Sequence, residues 1–362
     1  MAVLGLAGIT PALDLILADR IAKQFRTDSI FLNVIRHRAA RNSALTWAVK
    51  FDTRTAGGAY AAGAAFSASE IDSHARVQAT LGWANYRHAL EVADETLDIV
   101  AATGGAEGVD LIGSEAMDVA DKLSTTLGAH CFSGGGPGAS PSPELAGAAI
   151  AIDASDDDFA NVNTGTYTDW ASSELTDSLS NLSKDLLRTK VLRPIKDATG
   201  RPPDILFTTG AIMDRIANVF DGDSDDMSEV YLRSAGGMVS LQKIGGARAY
   251  SLDGVPIVED RHCTSGTVYG VSTDQVELRF VPPAPFVQTP AEMARLVQQV
   301  AGLDRIPEVS DIAARMSRLQ QTFRPVLVHG GKLGTSERIF LRSGNVQLQW
   351  SRRDAFSKLT LS

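Results

Sequence analysis

Cysteine is nearly absent: the 362 residues contain two, Cys131 and Cys263. Two thiols cannot form a disulfide framework, so the chain must rely on an apolar core, and a reducing cytosolic compartment is expected. Each reads as a small buried filler rather than a nucleophile. Aromatic residues make up only 6% and are scattered, so there is no basic patch interleaved with stacking rings to grip single-stranded nucleic acid. No apolar run reaches the ~20 residues needed to cross a bilayer, and no membrane partner is expected. The start, Met1-Ala2-Val3-Leu4-Gly5-Leu6-Ala7-Gly8, lacks a basic flank and meets Asp14 early, against a signal peptide. Histidines 37, 74, 88, 130 and 329 show no metal-ligand spacing.

Positive charge is also in deficit. A formal net charge of −9 argues against nonspecific nucleic-acid binding by the whole surface, but the average conceals an asymmetry. Residues 1–50 carry seven basic against three acidic side chains, residues 91–190 four against eighteen, and residues 331–362 six against two. Ends and middle of opposite sign suit either solvated faces or association between copies.

What is present is a ribbon followed by a rod. Residues 44–52 read as a strand, and alternation resumes near Val77 after a Gly/Ala/Ser-rich stretch from Thr55 to Ser69. Between them, residues 53–70 offer only Tyr60 and Phe66 as large apolar side chains, so this hairpin is expected to project. Val109, Ile112, Ala116, Val119, Ala120, Leu123 and Leu127 then form one stripe of a helix over 109–130. Acids crowd its first half, where the helix dipole favours them, and Gly134 onward stops it.

Ahead of this block, Thr10-Pro11 reads as a helix start, and Leu13, Leu17 and Ile21 give a stripe that needs an outside surface. Residues 1–43 are therefore read as an arm that docks on something else. Beyond the rod, Leu175, Leu179, Leu182 and Leu186 suggest a second helix running toward Pro194. A buried strand near Ile205–Thr208, a helix over 211–219, strands and turns over 248–282 (with Asp253-Gly254 as one turn), helices at 291–301 and 307–322, and a strand at Val346–Trp350 complete the order.

Three constellations invite chemistry. Gly134-Gly135-Gly136-Pro137-Gly138-Ala139-Ser140 resembles a phosphate cradle, but it ends a helix, and no lysine follows until Lys184. Asp221-Gly222-Asp223-Ser224-Asp225 has calcium-loop spacing, yet Asp226 and Leu232 stand where glycine and a bidentate acid are required. Glu259-Asp260-Arg261-His262 abuts Cys263, but neighbours on a strand point to opposite faces, so His262 cannot activate Cys263. No catalytic, cofactor-binding or metal-ligating residue is assigned, no cofactor is expected, and the chain is not read as an enzyme.

The order of pieces resembles the major capsid proteins of tailed bacteriophages. The most specific match is Tyr250-Ser251-Leu252-Asp253-Gly254-Val255-Pro256-Ile257-Val258-Glu259-Asp260, followed by Gly266-Thr267-Val268-Tyr269-Gly270-Val271. Pro203-Asp204-Ile205-Leu206 before a helix and the closing Gly344-Asn345-Val346-Gln347-Leu348 add to it. The resemblance implies an α+β fold of the Hong Kong ninety-seven type. It implies an N-terminal arm (1–43), an extended E-loop (44–88), a peripheral domain (89–154 and 336–362, with a spine helix at about 106–131) and an axial domain (155–335). It further implies self-assembly into pentamers and hexamers around double-stranded DNA, with a separate scaffolding protein, a portal and a decoration protein as partners, in the virion. The helical pair at 291–322 exceeds the family pattern, and no scaffolding segment precedes the arm. Lys50 reads as a solvated strand residue rather than a crosslinking one. An encapsulin-like compartment, or an α/β enzyme with a site near the Gly134–Ser140 turn, are the alternatives.

Overall fold

A computed structural model describes residues 6–50, 76–93, 106–139, 143–154, 158–220, 231–234, 237–240, 249–283, 288–301, 303, 305–321, 323–333 and 336–362. The hairpin tip at 53–70 and the acidic turn at 221–226 lie outside the described residues.

The chain opens with helices α1 (Leu6–Asp28) and α2 (Ile30–Val34) and strands β1 (Arg36–Ala39), β2 (Leu45–Lys50), β3 (Arg76–Leu81) and β4 (Ala84–Ala93). The spine α3 (Ala106–Ser133) and a short α4 (Ala148–Ala151) lead to β5 (Asp158–Phe159), β6 (Val162–Asn163) and β7 (Ser173–Asp177). Next come α5 (Lys184–Leu187), a π turn (Arg188–Leu192), α6 (Arg193–Thr199), β8 (Ile205–Thr208) and α7 (Gly210–Phe220). Strands β9 (Tyr231–Ser234), β10 (Gly237–Ser240), β11 (Ala249–Leu252), β12 (Val255–Glu259), β13 (Thr267–Val271) and β14 (Val276–Phe280) precede α8 (Pro290–Ala301) and α9 (Val309–Gln321). Strands β15 (Val326–Leu333), β16 (Ser336–Trp350) and β17 (Phe356–Leu361) close the chain.

Two sheets organise these elements. In one, the 15-residue β16 is paired along its length by β4, β15 and β14, with β1 outside β14. The other has the order β11-β12-β8-β13-β17-β7. Every residue of β8 is buried, which only a strand covered on both faces allows. Ile205 and Phe207 join the large core shared with the spine, while Leu206 faces a second core with Ile212, Met213 and Ile216 of α7. The spine buries the stripe read from sequence: Ile112, Ala116, Val119, Ala120, Leu123 and Leu127 are each at most 8% exposed. Its 28 residues make a rod of about 42 Å.

Sheet membership cuts across the expected domain boundaries. Strands β14 and β15, expected in the axial segment, pair with β16. Strand β17, expected in the peripheral segment, lies between β13 and β7. Its Phe356 enters one core while Leu359 and Leu361 enter the other, so only an interior strand position covers both faces.

Three local expectations are corrected. Pro11 lies inside α1 rather than at its start, because burial of Thr10, Ala12 and Leu13 overrides the local helix-start signal. The α1 stripe needs no outside surface: it packs in the same chain against the spine, α8 and β15. The leucine stripe from Leu175 is not one helix. Leu175 lies on β7 opposite Leu359, Leu179 lies in a 3-10 turn, and the helical run begins only at Lys184, capped by Ser183. That run then passes through Pro194 by way of the π turn, since proline cannot supply the usual backbone donor.

Helices α8 and α9 join α1 in a helical layer beside the five-stranded sheet. Asp19 of α1 pairs with Arg315 (2.9 Å) and Arg318 (3.1 Å) of α9. Beneath them, Arg324 donates two hydrogen bonds to Asp14, at 2.7 and 2.8 Å, and the Leu327 amide donates a third at 3.0 Å. Both charged side chains are buried.

Candidate functional site

Two of the three constellations that invite chemistry, the glycine cluster and the Glu259–Cys263 run, turn out to be joints. Both cysteines are free and buried, and burial pushes each thiol well above its ordinary value. A neutral, enclosed thiol is a poor nucleophile. His262 and Cys263 lie in the turn after β12, not on a strand as expected. Cys263 reaches toward the Thr267 carbonyl at 3.8 Å, while His262 lies on the spine. Among the described residues, no group of three His, Cys, Asp or Glu side chains is arranged to hold a metal ion. Nor is any helix among them long and apolar enough to cross a membrane.

The Glu259–His262 stretch instead closes a clasp on the arm. Asp260, 1% exposed, accepts from the Phe31 amide at 3.0 Å, from Ser29 Oγ at 3.4 Å and from the His262 amide at 3.0 Å. Ser29 also caps α2 by accepting from the Leu32 amide. Asp28, the last residue of α1, accepts from Ser124 of the spine at 2.8 Å, pairs with Arg261, and lies 3.3 Å from His262 Nε2. Burial pulls the His262 imidazole below its ordinary value, and Arg261 adds to this against the opposing Asp260 carboxylate. Gly128 makes room for the ring: a Cβ there would lie 2.6 Å from His262 Cδ2. Arm, spine and six-stranded sheet thus meet at one buried polar point.

An aromatic cluster extends that meeting point. Phe31 of the arm lies 5.2 Å from Phe132 of the spine, 5.4 Å from Phe207 of β8 and 6.3 Å from Trp350 of β16. Trp350 in turn stands edge-on to Phe356 of β17 at 4.8 Å. Five rings thus meet where both sheets, arm and spine converge, and the two sheets share one core there.

The glycine cluster forms the end joint of the spine. Gly134 donates to the His130 carbonyl at 3.1 Å, and a Cβ on Gly134 would stand 2.4 Å from the Leu145 carbonyl oxygen. Gly136 adopts φ 76°, the left-handed region that glycine tolerates. Tyr86 of β4 lies 2.9 Å from His130 Nδ1 and accepts from the Leu145 amide at 2.9 Å, while Glu144 accepts from the Gly135 amide. Gln347 of β16 accepts from Ala146 and donates to the Gly82 carbonyl. The amides of Gly134, Gly135 and Gly136 are thus committed to protein partners.

The remaining feature is the ribbon base, β2 paired antiparallel with β3 in the register Leu45↔Leu81 to Lys50↔Arg76. One face is buried through Leu45, Trp47, Val49, Ala79 and Leu81. The Thr80 amide donates to the Ala160 carbonyl in the β5–β6 turn. Ala160 and Asn161 hold φ of 56° and 61° there, the paired positive φ of a tight hairpin turn. The ribbon is therefore seated firmly at its root.

No family model and no curated protein matches the chain. Among solved structures, the capsid asymmetric unit of cyanophage A-1(L) superposes with TM-score 0.62 at 15% identity, covering 91% of both chains. A virus-like particle from Pyrococcus furiosus gives 0.50 at 8% identity, covering 95% of this chain and 97% of that one. The mycobacterium phage Bobi chain gives 0.50 at 11%, covering 93% and 91%. The ribbon base, spine and paired sheets therefore compose a fold of the Hong Kong ninety-seven type.

Proposed function

We propose that this chain is the major capsid protein of a tailed bacteriophage, a non-enzymatic subunit that self-assembles into pentamers and hexamers of an icosahedral shell around double-stranded DNA. The single observation that carries the reading is the whole-chain likeness to the cyanophage A-1(L) capsid chain. In this reading residues 1–43 are the arm and 44–88 the E-loop. The peripheral domain takes 89–154 with the spine and 276–350, and the axial domain takes 158–271 with β17. A separate scaffolding protein, a portal and a decoration protein are the expected partners, in a virion assembled in the host cytoplasm. DNA would be held without base readout, by salt-dependent phosphate contacts from the basic ends of the chain.

The test is to express the chain with and without its scaffold, isolate fast-sedimenting material and identify its contents. Nuclease-protected DNA in shells supports the phage head. A protein cargo held by a bound peptide supports the compartment, and a monomer under every condition overturns both.

A further inference from the structure

The sheet built on β16 has two unlike faces. Tyr86, Leu90, Ile339 and Leu341 are buried on one, where the spine crosses. On the other, Arg87 and Arg342 are exposed and stand directly opposite each other in the antiparallel register. Like charges in that position destabilise a strand pair. Elsewhere on this sheet opposed charges have a carboxylate beside them, even where Arg38 stands opposite Arg279. Arg338 stands opposite Glu91, and Glu277 takes Arg279 at 2.9 Å and Arg38 at 3.7 Å. Among the described residues no carboxylate lies within ion-pair distance of Arg87 or Arg342.

The two guanidinium groups flank a cleft of about 430 Å³ floored by Phe340 and Val328, which face each other across β15 and β16. Val328 is 36% exposed, and the Arg87 guanidinium lies 5.8 Å from the Phe340 ring centroid. Gly330 holds the cleft open, since a Cβ there would come within 2.2 Å of that ring. The β16 bulge after Arg342, where Gly344 has φ 69°, turns the strand beside it. An apolar floor between two unmatched cations fits a carboxylate side chain with apolar neighbours better than a free ion.

We infer that this cleft receives carboxylates of a second copy of the chain, so that Arg87 and Arg342 form an intersubunit ion-pair site. The inference rests on the shell reading. Charge complementarity selects the occupant: residues 91–190 hold eighteen acidic against four basic side chains, with Glu115 and Asp118 exposed on the spine. The like-charge pair then acts as a specificity device, disfavoured in the lone protomer and satisfied on association.

Arg342→Glu tests this with the full chain. It places Glu opposite Arg87 and satisfies the site internally. The protomer should therefore keep or raise its thermal midpoint while needing about tenfold more subunit to assemble, the equivalent of one lost favourable pair. Its assembly should also respond less to salt. Arg342→Gln, which adds no charge, should show a weaker loss of assembly and guards against a folding defect. Assembly of both variants at the wild-type concentration and salt response overturns the inference while leaving the shell reading intact. So do normal particles that merely lose nucleic acid, which would make phosphate the partner. A wild-type chain that never assembles overturns the shell reading and this inference together.

Discussion

Removing Arg324 should undock the arm. Its guanidinium makes two charge-assisted bonds to Asp14, and Arg324 and Asp14 are 3% and 2% exposed. Arg324→Ala leaves the Asp14 carboxylate buried with the Leu327 amide as its remaining donor in this trio. Breaking one side of such a pair costs about 3–5 kcal/mol, against the 0–1 kcal/mol typical of a solvated surface pair. At 1.4 kcal/mol per decade, a loss of about 4 kcal/mol raises the undocked population roughly a thousandfold. Replacing both partners with apolar residues, as Asp14→Leu with Arg324→Met, should recover part of the loss, because no orphaned charge remains although the Leu327 amide loses its acceptor. Urea unfolding of the unassembled protomer gives the energies, and hydrogen exchange at the Leu327 amide localises the effect. A cost for Arg324→Ala below about 1 kcal/mol would mean that the pair is solvated and that the arm is not seated on its own chain.

Three further outcomes follow from the joints. Gly128→Ala should destabilise the protomer by about 1–3 kcal/mol and speed exchange at the Phe31 amide, because the added methyl displaces His262 from the clasp. His262 has a folded-state pKa below its unfolded value of about 6.5, so its contribution is present above that pH and fades as pH falls through it. His262→Gln should flatten the stability profile in that window, and an unchanged slope would place the titration elsewhere. Deleting residues 54–70, which carry few large apolar side chains, should leave the thermal transition of the protomer nearly unchanged while depressing assembly. Normal particles from the deletion would refute the projecting role of the hairpin.

Local patterns were legible wherever periodicity and burial agreed. The spine stripe from Ile112 to Leu127 lies buried as its spacing required, and the Asp253-Gly254 turn has the φ of 53° and 80° that its residue types favour. The leucines at 175, 179, 182 and 186 misled because spacing of three and four residues also arises across a strand, a 3-10 turn and a helix start. What sequence could not reach was non-local. Asp28 and His262 are 234 positions apart, and nothing near either announces the other. The hub of Phe31, Phe132, Phe207 and Trp350 is equally silent in a chain with so few rings. The only sequence hint of the clasp was the charged run at 259–262, whose role as a joint depends on a spine that passes within reach.

The most direct measurement is a three-dimensional electron-microscopy reconstruction of the material formed when the chain is expressed. Closed icosahedral particles are expected, with pentameric and hexameric clusters whose subunit density accommodates the spine, both sheets and a ribbon lying across a neighbour. A homogeneous monomer that persists at high concentration and with scaffold present would contradict the shell function outright.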